Sequence, residues 1–461
     1  MSSPPSAIPA QIDSDNEVPA VQLCSLPLSE LHTLDLSTTQ DFLVLLEVLA
    51  HGDQKSALTA VTTIRKSLTD DSDQRISDVV EAGGVEILHT AMKSGNEQIR
   101  WQAIGAVANL ATGTSKQVSR ILKAGCVATL VDIVNLDRSW DIKEQALWAL
   151  GNVAGDSPSC RDRVLEAGAI AAILSHLQQD YLPYMRCASW VLSNLIQGQP
   201  PPDHSYFTQV APCILSLFCT TDDMDIRSDL CSALIDITTY CANSIGLNQK
   251  TCATLVQLID TSEKDASIVR ILGNIVALTG EYTHMFIESG LLEKVDRLLR
   301  HTKVEIRKQT CWLLRNICTK SPNITDKVIL SGLISHVISL VKTDSHHMQK
   351  EIVWVLATTC SHCSPQYISE LLHIGISKPL IEVLYLEDEE VVSAALQGLI
   401  ALVEYGKANP HTEALRLFMD VQELIVVGTH LARKGVSAAQ RLVRAADWLI
   451  SVPGKKANRG R

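Results

Sequence analysis

The 461-residue chain is 46% hydrophobic but only 4% aromatic, a balance that suits packed helices better than a sandwich or barrel built on Tyr, Phe and Trp. Its length exceeds the roughly 150–250 residues of one compact domain, so it either divides or grows by repetition. The formal charge of −11 argues against nucleic acid as the main ligand and favours a basic partner.

Along the chain, residues 1–30 hold no Lys or Arg and no apolar core, which fits neither a secretory signal nor a mitochondrial presequence. The Ser/Pro-containing stretch 1–40 reads as a disordered leader. Beyond it one pattern returns: EAGGVEIL (81–88), KAGCVATL (123–130), EAGAIAAIL (166–174), ESGLLEKV (288–295), LSGLISHV (330–337) and HIGISKPL (373–380). Its glycines, Gly83, Gly125, Gly168, Gly290, Gly332 and Gly375, are separated by 42, 43, 122, 42 and 43 residues. The long gap is three periods, filled by degenerate copies near Val210 and Asn248. A period near 42 is the armadillo and HEAT range.

Each unit reads as a short helix, a glycine turn, a second helix such as Val127 to Asn135, and a longer third such as Ile142 to Ala154. In the third, Ile142, Ala146, Ala149 and Val153 form one apolar stripe at helical spacing. No unit buries its faces alone, so the units must stack. The solenoid, about eight repeats, is expected over 41–406, closing helices over 407–452, and a basic flexible tail over 453–461.

One constellation stands at the same register of successive third helices: Gly105 and Asn109, Trp148 and Asn152, Trp190 and Asn194, Ser232 and Asp236, Arg270 and Asn274, Trp312 and Asn316, Trp354 and Thr358. An i, i+4 pair projects from one helix face, so stacking turns the pairs into parallel rows. A single Trp in a helical repeat is usually core, and a single Asn near a helix end usually a cap. Four Trp and five Asn at one register point instead to a groove, because a buried Asn row is costly without partners. Such a groove suits an extended basic peptide. Asn amides supply donors and acceptors to a backbone that has no strand partner, and neighbouring indoles form slots for the alkyl stem of Lys or Arg, each cation–π contact worth roughly 0.5–2 kcal/mol. Asp156, eight residues beyond Trp148, is placed at a helix terminus to fix an ammonium.

At WALGNVAGD (148–156), SWVLSNL (189–195), VRILGNIV (269–276) and CWLLRNIC (311–318) the chain resembles importin-α, the adaptor for proteins with basic nuclear localisation signals, over about Asp41 to Gly406. The resemblance implies an all-α, right-handed superhelical solenoid of armadillo repeats acting in cytoplasm and nucleus. It implies a major peptide site at Asn109, Gly113, Trp148, Asn152, Asp156, Trp190 and Asn194, and a minor site at Arg270, Asn274, Trp312, Asn316, Glu351 and Trp354. Its partners would be cargo proteins with basic signals, importin-β and an export receptor. The pattern departs from the family in several places: the first basic residue is Lys55, so the Arg/Lys-rich segment that recruits importin-β has no counterpart ahead of it. Gly105 stands for the first groove Trp, with Trp101 one turn earlier. Val118 stands for a Thr expected to help clasp the key lysine, and Ser232, Asp236, Thr358 and Ala401 interrupt the ladder. The major site is therefore expected to be better preserved than the minor one. A second reading keeps the groove but gives it to an armadillo scaffold in cytoskeletal, signalling or assembly complexes without importin-β.

Other motifs carry less. Cys360-Ser-His-Cys363, with His346, His347 and His373 near in sequence, lacks the second ligand pair of a structural zinc site, so no metal or cofactor is expected. The thirteen Cys show no framework spacing and read as reduced thiols. The most apolar stretch, Val391 to Val403, is too short for a membrane span. No phosphate loop, nucleophile elbow or paired carboxylates mark an enzyme.

Overall fold

The computed structural model describes residues 31, 34, 36, 38–69, 73–177, 181–259, 265–278, 280–341, 346–408 and 421–451. Every regular element among them is helical. Most of the expected leader and all of the 453–461 tail lie outside the described residues. The chain falls into two compact units, Met1–Val210 with Asp223–Ala233, and Ala211–Asp222 with Leu234–Arg461.

In the first unit α1 (Gln54–Ser67) and α2 (Glu97–Leu110) are the first two long third helices. The next repeat shows the whole unit, α3 (Ser115–Lys123), α4 (Cys126–Leu136) and α5 (Trp140–Asp156), and α6 (Leu182–Ile196) is the third helix after it. Thr114 and Gln117 close a capping box at the start of α3, satisfying donors that a helix start leaves open. Gly125, with φ of +79°, turns the chain from α3 into α4. All six glycines of the repeat pattern take φ between +78° and +92°, a left-handed conformation that only glycine adopts at little cost. Beyond α5, Ser157 caps the next helix and Pro158 opens it, the first-turn position where a missing N–H costs nothing.

On α5 the expected stripe of Ile142, Ala146, Ala149 and Val153 is buried, but so are Leu147, Leu150, Gly151 and Ala154. The buried face is wider than one stripe because α5 packs on α4 behind it and on α2 and α6 at its flanks. Each fully buried Leu contributes roughly 1.5–3 kcal/mol. Lys143 is the charged exception on this face, and its Nζ donates to the carbonyls of Val134 and Asn135, which the end of α4 leaves unpaired. What stays open is a narrow strip: Asp141, Trp148 and Gly155 exposed, Gln145, Asn152 and Asp156 half-buried.

The degenerate copy near Val210 is a single helix, His204–Thr220, with Pro212 inside it. Ala211 and Pro212 stand where other repeats have the turn glycine. Proline cannot take positive φ and alanine does so only at a cost, so the left-handed break is lost. In the second unit the third helices are α7 (Asp265–Leu278), α8 (Val304–Cys318), α9 (His346–His362) and α10 (Glu389–Ala408). Val421–Arg433 and Ser437–Ser451 follow as two further helices.

Candidate functional site

In the first unit Trp148, Asn152 and Asp156 stand at successive turns of α5, and Trp190 and Asn194 at the matching turns of α6. Trp148 is 50% exposed, an unusual place for an indole that has packing available elsewhere. Its ring centroid lies 5.5 Å from that of Trp190, with the planes tilted by 37°. The two rings are in contact, so the slot expected between them is closed. A methylene chain between two faces needs about 7 Å, one carbon contact distance on each side. The open surface is the outer face of Trp148.

Gly151 makes this arrangement possible. A Cβ there would meet Trp190 Cζ3 at 2.2 Å, so the ring of α6 rests directly on the backbone of α5. The second unit repeats the device: a Cβ at Gly273 would meet Trp312 Cζ3 at 2.0 Å. Leu-Gly-Asn recurs at 150–152 and 272–274, a signal by which both glycines could have been found in the sequence.

The asparagines hold neighbouring third helices together. Asn152 Nδ2 donates to Ala108 O at 2.9 Å, Asn109 Nδ2 to Arg65 O at 3.4 Å and Asn194 Nδ2 to Gly151 O at 3.3 Å. Asn316 Nδ2 reaches Gly273 O at 3.2 Å, while Asn274 Nδ2 reaches Thr238 Oγ1 at 2.9 Å and Thr239 Oγ1 at 3.1 Å. Ala108 sits in the last turn of α2, where carbonyls lack helical partners. Asn109, Asn152 and Asn194 thus each spend one donor on the scaffold and keep the second N–H and Oδ1, whereas Asn274 spends its amide on two hydroxyls. In the first unit the row is structural and chemically available at once.

Asp156 is held in place by two donors, Ser115 Oγ to Oδ1 at 2.8 Å and Cys160 Sγ to Oδ2 at 3.3 Å. Nothing in the sequence marked Ser115 for this role. Gly113 leaves room for Gln117, whose Oε1 would lie 2.4 Å from a Cβ at that position and which accepts from Thr114 N at 2.7 Å. Val118 is fully buried, so where the resemblance leads one to expect a hydroxyl the chain offers core.

In the second unit both indoles carry an arginine of the chain itself. Arg270 Cζ stands 4.6 Å from the centroid of Trp312, and Arg315 Cζ stands 5.3 Å from that of Trp354. Among the described residues no such cation lies over Trp148 or Trp190. Asn316 is buried, and Glu351 is half-buried on α9 one turn before Trp354. Asp236, at a ladder position, is half-buried, and desolvation raises its pKa. Cys360 and Cys363 are buried, with thiols pushed up by desolvation, and among the described residues no group of His, Cys, Asp or Glu is placed to hold a metal ion.

The Armadillo/beta-catenin-like repeat family matches residues 114–155 and 281–319. The chain is 30% identical to Importin subunit alpha-3 of Arabidopsis thaliana over 56% of its own length and 50% of that protein. It is 33% identical to Importin subunit alpha-4 of the same plant, covering 77% of this chain and 67% of that protein. With Importin subunit alpha-1b of Oryza sativa subsp. japonica it shares 30% identity over 80% and 70% of the two chains. These matches span from half to about two thirds of the relatives' own length. A crystal structure of an engineered protein has the same fold, with a TM-score of 0.74 at 21% identity over 90% of this chain and 100% of that one.

Proposed function

Because the chain belongs to the importin-α family, we propose that it is a non-enzymatic adaptor that holds Lys/Arg-rich segments of other proteins, in extended form, along the Trp/Asn face of its first unit. The observation that carries this reading is an exposed indole, a partly free carboxamide and an anchored carboxylate at successive turns of α5. The alkyl stem of a peptide Lys or Arg lies across the outer face of Trp148, a contact worth roughly 0.5–2 kcal/mol. Asn152 Oδ1 accepts from the peptide backbone while its Nδ2 stays bound to Ala108. Asp156, already oriented by Ser115 and Cys160, receives an ammonium without first having to be ordered, which keeps the entropic cost of binding low. Asn109 and Asn194 extend the backbone contacts along α2 and α6, with Gly113 in the turn between α2 and α3 and Trp190 as the wall that supports Trp148.

The second set, Arg270, Asn274, Trp312, Asn316, Glu351 and Trp354, is the weaker site in this reading. A guanidinium already covers each of its indoles and repels an incoming cation. The ligand class is the basic nuclear localisation signal, and the corresponding work is import from cytoplasm to nucleus, with importin-β and an export receptor as the transport partners it calls for.

Fluorescence polarisation with a labelled peptide of five consecutive Lys/Arg residues tests this. The Trp148→Ala, Asn152→Ala double variant is expected to bind at least about tenfold more weakly, equivalent to roughly 1.4 kcal/mol. Binding as tight as that of the unaltered protein, by a variant with unchanged circular dichroism, overturns the proposal.

A further inference from the structure

At α2 the Trp register is held by Gly105, and the space above it is filled from elsewhere in the chain. Arg65, in the last turn of α1, lies over this glycine: a Cβ at Gly105 would sit 2.4 Å from Arg65 Nε. The guanidinium stacks on Trp101, with Cζ 3.8 Å from the ring centroid. Its Nη1 donates to Gln102 Oε1 at 3.3 Å and its Nη2 to Gln145 Oε1 at 3.1 Å. Gln145 belongs to α5, one turn before Trp148. The side chain therefore crosses from α1 over α2 to α5, a path that any side chain at position 105 would block.

Three features show that this cation is part of the groove rather than of the core. Arg65 is only half-buried. Among the described residues no carboxylate pairs with it, and its partners are an aromatic face and two neutral carboxamides. Desolvation lowers its pKa, yet a guanidinium stays charged in proteins, so the positive charge stands uncompensated. Its Nη2 also reaches Gln145, which stands on the open strip of α5 that carries Trp148, Asn152 and Asp156.

We propose that Arg65 is the specificity determinant of the α2 end of the site: it occupies the place that a further basic side chain of the ligand would need, and it selects an acidic residue there. The inference rests on the peptide-binding reading above. The preferred ligand is a basic run that ends at Trp148 and continues with Asp or Glu towards α2. The incoming carboxylate pairs with the guanidinium N–H groups of Arg65 that Gln102 and Gln145 do not take, a charge-assisted bond with fixed planar geometry, whereas a Lys or Arg at the same place meets a like charge.

Five peptides sharing one core of five Lys/Arg residues decide the matter by titration: the core alone, and the core extended by two Glu or two Lys at its N-terminal or its C-terminal side. With the unaltered protein, at one of the two sides, the Glu-extended peptide is expected to bind about tenfold more tightly than the Lys-extended one. In Arg65→Gln, which keeps hydrogen-bonding reach to Gln102 and Gln145 without the charge, that ratio should fall to within about twofold. Arg65→Lys, keeping the charge but not the fork, should give an intermediate ratio and stands as the second variant if the first fails to fold. A ratio near one in the unaltered protein at both sides, or a ratio that both variants leave unchanged, overturns the proposal. Failure of the core peptide to bind the unaltered protein overturns the adaptor reading, and this inference with it. A core that binds while the ratio does not follow Arg65 overturns this inference alone.

Discussion

Asp236 occupies a ladder position at which most other third helices carry Asn, and the difference is electrostatic. The carboxylate is half-buried and among the described residues has no hydrogen-bond or ionic partner, so desolvation disfavours its charged form and raises its pKa. The folded chain then holds this proton more tightly than the unfolded chain does. Ionisation costs stability as the pH rises above the ordinary carboxyl value of about 4. Asp236→Asn removes that cost and is expected to raise the urea midpoint at pH 7. The gain should shrink as the pH approaches 4, where both states of the unaltered protein become protonated. A gain of equal size at both pH values would show that the carboxylate's charge is not its cause. The same residue-scale reasoning separates Asp156 from Asp236: two donors orient the first, while the second stands alone.

The third helix shows how one element serves two purposes. Eight residues of α5 from Ile142 to Ala154 are apolar and buried, so three neighbours fix its position, and the fourth side is left to carry Trp148, Asn152 and Asp156. Its orientation depends on the glycine turn that starts the helix before it, Gly125 at the head of α4. Gly168, which starts the counterpart of α4 in the next repeat, has φ of +87° and open space around it. Gly168→Ala therefore introduces backbone strain without a clash, and urea unfolding should show a loss of about 1–2 kcal/mol. Gly332, with φ of +79° and equally open surroundings, should behave alike. A loss well below this range would mean that the turn relaxes into another conformation. His204–Thr220 illustrates the converse: with Ala211 and Pro212 in place of the glycine, two short helices become one.

Over the whole molecule the net charge of −11 sets a field that attracts cationic peptides from a distance, and exposed charges are screened beyond a Debye length of about 10 Å at 0.1 M salt. Affinity for the basic core peptide should fall about tenfold between roughly 0.05 and 0.5 M salt, measured by the same titration. Salt-independent binding would place the recognition in apolar contacts alone. The repeat period, the left-handed turn glycines and the register of Trp and Asn were all legible in the sequence, because a stack of repeats is nearly one-dimensional and writes its local geometry into every copy. The tertiary structure alone decided that Asn152 bonds to a carbonyl 44 residues earlier, that Trp148 and Trp190 close on each other over Gly151, and that Arg65 takes the place left by Gly105. These depend on how closely neighbouring helices approach and which way long side chains turn. Periodicity fixes which residues share a face, but the distances across that face come only from packing.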